Sequence, residues 1–309
     1  IQNIKGWERF VRRLHNEKKK IFVTGSNASL LSREFGTHLT GRNTTVELYP
    51  FSFNEFIRFK GKNFDVSRLV AEDRAEIKRL FSEYVDNGGF PEFLKTGKEE
   101  YLEALYENIL YKDIITRYDL KAERQLKEII YHVMSNLGKD LSFNSLRKQV
   151  GLSNATTVKD YFHYLENTYL VFIVKNYSPS LKNQVQKKAY CIDTGLASHL
   201  GFRFSRDSGR ILENVVFLQL KRTSKEIYFH RENYECDFLT KKGLKIEQAI
   251  QVCYTLNESN QEREIRGLIE ACNKHGKKEG LILTFDQHDE FIRDGVNIKI
   301  LPVWRWLLQ

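Results

Sequence analysis

The chain has 309 residues, 41% of them hydrophobic and 29% charged; this balance excludes a disordered chain, and no apolar run reaches the ~20 residues of a membrane span. The formal net charge of +9 fits either a polyanionic partner such as nucleic acid or ordinary Lys-rich solubility. Cys191, Cys236, Cys253 and Cys272 are widely spaced with no CxxC pair, which argues against a zinc site or a disulfide framework and for a reducing cytoplasm.

The length predicts two or three domains. Residues 7–17 carry Trp7, Phe10, Val11 and Leu14 at helical spacing. IFVT (21–24) reads as a buried strand, and its C-terminal tip, TGSN, puts Ser26 and Asn27 where α/β proteins commonly handle ligands. VELYP (46–50) reads as a second strand ended by Pro50. Ser52 followed by Glu55 is a capping box opening a helix. Residues 1–58 therefore predict helix–strand–helix–strand, part of a parallel sheet.

Residues 65–125 predict helix throughout, broken by a turn at DNGGFPEFL (86–94). Next come a helix stopped by Gly138, a short helix stopped by Gly151, and a longer helix capped by Ser153 with Val158, Tyr161, Phe162 and Leu165 on one face. Residues 172–193 predict a hairpin with Pro179 in its turn, and FRFSRDSG (202–209) reads as a linker. The remainder predicts helix (211–222), strands EIYFHR, ECDFLTKK and LKIEQAIQVCY, helix (262–276), strand GLILTFD, strand VNIKILPV and a short last helix.

Three helices and a hairpin at 126–192 resemble a winged helix-turn-helix. Residues 139–188 hold eight Lys/Arg, among them Lys188, against three acids, an excess that matches a phosphate-contacting face. Arg147, Lys148, Asn154, Thr156, Thr157, Lys159, His163 and Lys182 are its candidate DNA-contacting residues. The order helix, three strands, helix, strand at 205–309 resembles the core of the PD-(D/E)XK nucleases, whose chemistry needs acidic ligands for Mg²⁺ and a Lys beside the attacking water. Glu213 and Asp237 match two acidic positions. Strand alternation puts Glu247, Ala249, Gln251 and Cys253 on one face, so Gln251 stands for the third acid and Cys253 for the Lys. Cys carries no such charge, so the expectation is a degenerate site with feeble activity or none.

Taken together, IQNIKGWERFVRRL, IFVTGSNASLL, LTGRNTTVELYPFSFNEF, GGFPEFL, ILEN, ECDFL and IEQAIQVCY resemble the bacterial and archaeal AAA-type ATPases that carry a C-terminal winged helix and a degenerate nuclease-like domain. The resemblance implies an α/β multidomain fold: 1–60 the later part of a P-loop ATPase sheet, 61–125 a helical lid, 126–192 the winged helix, and 205–309 an αβββαβ nuclease-like domain. It implies ATP and Mg²⁺ as cofactors of the parent protein, Ser26 and Asn27 as sensor-1 residues near the γ-phosphate, and Arg42 as an arginine finger acting in a neighbouring subunit of a homo-oligomer. No GxxxxGK[ST] loop occurs anywhere in the chain, and the Walker B acids that normally precede IQN are not among these residues, so the sequence reads as a truncated portion with little ATP hydrolysis of its own. The expected function is that of a cytoplasmic ATPase, not membrane-bound, acting on DNA or a protein partner. The two alternatives are a stand-alone winged-helix DNA-binding module and an Mg²⁺-dependent nuclease.

Overall fold

The computed structural model describes residues 6–25, 44–178, 186–201, 208–224 and 226–309. Helix α1 (Trp7–Asn16) sets Trp7 and Val11 against Ile21 and Val23. Residues 21–25 and 44–49 join no strand ladder, which corrects the prediction of strands at 21–24 and 46–50. A strand exists through its pairing, and neither segment has a ladder partner among the described residues. Phe22, Val46 and Leu48 accordingly stay exposed.

The capping box forms as predicted. Ser52 and Glu55 exchange backbone hydrogen bonds of 2.7 and 3.3 Å and open α2 (Phe53–Phe59). Its buried face, Phe53 and Phe56, meets Phe81 and Tyr84 of α3 (Ala71–Asn87). The predicted turn after α3 contains α4 (Pro91–Thr96), started by a Pro that has no N–H to lose there. Helix α5 (Glu99–Glu107) continues into a π-helical stretch, Asn108–Ile115, so the helical region is more segmented than its periodicity predicts.

Helices α6 (Glu123–Met134), α7 (Phe143–Gln149) and α8 (Ala155–Asn167) follow. The cap of α8 is Asn154, whose side chain accepts from the Thr156 N–H at 2.8 Å, rather than the expected Ser153. Strands β1 (Val171–Asn176) and β2 (Lys187–Cys191) pair antiparallel as the predicted hairpin. Helix α9 (Thr194–Leu200), which no signal in the sequence foretold, comes next. Then come α10 (Ser208–Thr223), β3 (Glu226–Arg231), β4 (Glu235–Lys242), β5 (Lys245–Val252), α11 (Gln261–Lys274), β6 (Glu279–Thr284), β7 (Asp289–Arg293), β8 (Val296–Pro302) and α12 (Val303–Trp306). Strand β7 is the addition here.

All of these strands belong to one mixed sheet in the order β2-β1-β3-β4-β5-β6-β8-β7. The hairpin joins it through a short parallel contact, Lys175 with Tyr228 and Asn176 with Phe229. The sheet is covered on both faces. Phe217 of α10 stacks on Tyr190, which is tilted against Phe238, while Leu268 and Cys272 of α11 pack with Cys236, Leu239, Ile282 and Ile298. Alternation along the end of β5 and the residue after it divides the side chains between the two cores, with Ile250 and Val252 in the first and Ala249 and Cys253 in the second.

Candidate functional site

A buried charged cluster forms where β2, α10 and β4 meet. Lys188 is 2% exposed, Asp237 5% and Glu213 7%. The Lys188 ammonium donates to Glu213 Oε1 at 3.2 Å and Asp237 Oδ1 at 3.0 Å. It also pairs with Glu235 Oε1 at 2.6 Å. Tyr190 donates its hydroxyl to Glu213 Oε1 at 2.6 Å. Glu235 is shared with Arg231, which reaches out to Asp140 at 2.7 Å.

The local geometry comes from the way β4 and β5 separate. Their ladder runs from Lys242–Lys245 to Phe238–Ile250, and beyond it side chains take over the backbone hydrogen bonds. Asp237 Oδ2 accepts from the Val252 N–H at 3.0 Å, and the Asp237 N–H donates to Gln251 Oε1 at 3.1 Å. Gln251 then donates to Glu264 Oε2 of α11 at 2.5 Å. Gly138, with φ +69°, lies directly against the cluster: a Cβ there would stand 2.8 Å from Glu213 Oε2.

Burial dominates the electrostatics. It pushes the Glu213 carboxyl up to about 7, against the pull of Lys188 and with the push of Asp237. Burial also opposes charge on Lys188, but Glu213, with Tyr190 and Asp237, overrides it and holds the ammonium protonated far above neutrality. One ammonium facing three carboxylates leaves surplus negative charge, which a proton on Glu213 near neutral pH relieves.

The structure thus brings Glu213 and Asp237 together, with Gln251 touching the Asp237 backbone. Cys253 is buried against Ala249 and α11, its thiol pushed up to about 12 by burial and then by Glu264 and Asp237. The cation absent from the predicted motif comes from Lys188. This corrects its assignment to a phosphate-contacting face: the side chain points into the core. Its partners lie 25 and 49 residues away, so no local signal marked it.

The other predicted residues are dispersed. Ser26, Asn27, Arg42 and Lys182 lie outside the described residues. Arg147 is half-buried, and its guanidinium closes the following turn on the carbonyls of Leu152 and Ser153 at 3.3 and 3.2 Å. Asn154 serves as the α8 cap. Lys148, Thr156, Lys159 and His163 are exposed and Thr157 is half-exposed. Lys175 and Lys187 stand directly opposite each other in the hairpin. The Lys187 ammonium is driven down by burial, then by Lys175 and Lys159.

A second junction joins three distant segments. The Phe51 N–H donates to Gly89 O at 2.7 Å, and Arg222 of α10 donates to Pro50 O at 2.6 Å. Asp193 accepts from the N–H of Gly89 at 2.6 Å and of Leu196 at 2.9 Å. Burial lifts the Asp193 carboxyl to about 6 despite these donors and Arg222. No helix among the described residues is long and apolar enough to cross a membrane.

Comparison with known proteins gives two relatives along the whole chain. The uncharacterized protein MJ1544 of Methanocaldococcus jannaschii is 34% identical, covering 100% of this chain and 73% of that protein. The chain belongs to its family. An uncharacterized protein of Haemophilus influenzae is 30% identical over 100% of this chain and 76% of its own length. Residues 1–57 match the AAA domain, and residues 78–207 match a domain of unknown function (DUF8612). No solved structure matches. The second match takes in Gly88, Gly89, Lys188, Tyr190 and Asp193, so both junctions draw on it. The first ends just beyond Pro50 and Phe51.

Proposed function

We propose that this chain is the coupling portion of an AAA-type ATPase, passing the state of its nucleotide site to a DNA or protein partner. The observation that carries the reading is the Pro50–Phe51 junction. The last stretch of the AAA-matching segment is hydrogen-bonded on one side to Gly89 of the helical region and on the other to Arg222 of α10, the helix that packs on the sheet. A shift of residues 44–51 is therefore felt by both neighbours at once. In this reading ATP with Mg²⁺ is the cofactor. Ser26 and Asn27 are neutral donors for the attacking water, and Arg42 serves the nucleotide of an adjacent copy in a homo-oligomer. The exposed apolar side chains Phe22, Val46 and Leu48 suit strands of an ATPase sheet.

The test uses the polypeptide made from its native locus. ATP binding and hydrolysis are measured, with hydrogen exchange at 46–51, 88–90 and 220–224 in ATP and ADP. The expected result is hydrolysis reduced by Asn27→Ala and Arg42→Ala, with exchange at all three segments changing together. An absence of nucleotide binding overturns the reading.

A second reading is a winged-helix DNA-binding module at 126–192. The crowding of Lys175, Lys187 and Lys159 favours it, because a polyanion relieves like-charge repulsion. Salt-dependent duplex binding supports this reading; no binding at low salt removes it. The Mg²⁺-dependent nuclease reading ranks below both, since an ammonium occupies the space between Glu213 and Asp237.

A further inference from the structure

We propose that the Lys188 ammonium is a stand-in for a divalent cation, so that removing it converts the Glu213–Asp237–Glu235 cluster into a cation site. The inference is independent of the ATPase reading. Three carboxylates from two elements converge on one nitrogen, at 3.2 Å for Glu213, 3.0 Å for Asp237 and 2.6 Å for Glu235. Such convergence of acids on a buried centre is the arrangement of a metal site, but the centre here is supplied by the chain.

The site as it stands does not fit Mg²⁺. The Glu213, Asp237 and Glu235 oxygens converge on the Lys188 nitrogen, which fills the place a cation would take. The positive charge is already in place and 2% exposed. Among the described residues no group of three His, Cys, Asp or Glu is set to hold a metal. What remains is the frame of a cation site. Glu213 comes from the helix, Asp237 from the middle of the three strands, and the bare backbone of Gly138 flanks Glu213 where a Cβ would stand 2.8 Å from Oε2. The Gln251 amide occupies the third strand and fixes the Asp237 backbone at 3.1 Å. Lys188 thus supplies the positive charge these carboxylates need without an exchangeable metal.

The experiment compares the full chain with Lys188→Ala and Lys188→Met. Melting temperature, refolding yield and Mn²⁺ binding by electron paramagnetic resonance are read with EDTA, MgCl₂ or MnCl₂. The native protein is expected to be indifferent to EDTA and to bind no Mn²⁺ at this cluster. Lys188→Ala is expected to lose stability in EDTA and to recover it, as a higher melting temperature or refolding yield, with about one Mn²⁺ bound. Lys188→Met, whose side chain refills the space, is expected to respond less. Adding Asp237→Asn to Lys188→Ala is expected to abolish the rescue. If Mn²⁺ raises neither melting temperature nor refolding yield of Lys188→Ala, the proposal fails. It fails equally if the native chain binds Mn²⁺ through Asp237 or cleaves plasmid in an Asp237-dependent way, because Lys188 would then be a displaced catalytic lysine.

Discussion

The N–H of Gly89 donates to the carboxylate of Asp193, 104 residues further along the chain, at 2.6 Å inside the core. The same carboxylate caps α9 through the Leu196 N–H. One side chain therefore fixes the turn after α3 and starts a helix. Asp193→Ala leaves a buried N–H unsatisfied and removes a cap, so it is expected to destabilise by about 2–4 kcal/mol, read by urea unfolding. A loss under ~0.5 kcal/mol would mean that other groups hold the turn.

Asp193 also predicts a pH dependence. Burial raises its carboxyl to about 6, above the ~3.9 of an unfolded chain. Between these values the folded state binds more protons, so this contribution is full below about pH 4 and is lost as pH rises through about 6. The unfolding midpoint of Asp193→Asn is expected to vary less over that window than that of the native protein. An unchanged slope would show that Asp193 titrates normally.

Gly89 tolerates no side chain. A Cβ there would lie 2.3 Å from the carbonyl oxygen of Phe51, and backbone cannot swing aside as a flexible side chain can. Gly89→Ala is expected to cost ~3 kcal/mol or to prevent folding, and to loosen residues 46–51 in hydrogen exchange. Gly97→Ala is the control. Nothing lies within 4 Å of a Cβ at that position, and its penalty comes from a φ of +64° alone.

The exposed basic face is tested by Lys148→Glu with Lys159→Glu. If it contacts phosphates, the pair lowers duplex affinity and cuts the slope of log affinity against log salt by about 1–2. Arg147→Ala is expected instead to lower stability, because its guanidinium is engaged by the Leu152 and Ser153 carbonyls.

Local features were legible in the sequence wherever their cause was local. The Ser52–Glu55 box, the apolar face of α8 and the element order from α10 to β6 follow from spacing over a few residues. Glu213 and Asp237 could be named because each sits on a recognisable element. Lys188 could not: in consecutive lysines, alternation does not say which one turns inward, and the decision lies with carboxylates on α10 and β4. The union of the hairpin with the larger sheet was hidden for a similar reason, since it rests on only two residue pairs. The unpaired segments at 21–25 and 44–49 mark the opposite case, where strong strand propensity finds no ladder among the described residues.

The attachment of β1 to β3 bears on how this protein can evolve. A recombination breakpoint anywhere between α9 and α10 would part strands that share one hydrogen-bonded surface. It would also strip Glu213 and Asp237 of their counter-charge. Residues 171–191 and 226–302 are thus bound to be inherited together, and shuffling that exchanges the C-terminal half must carry the hairpin with it.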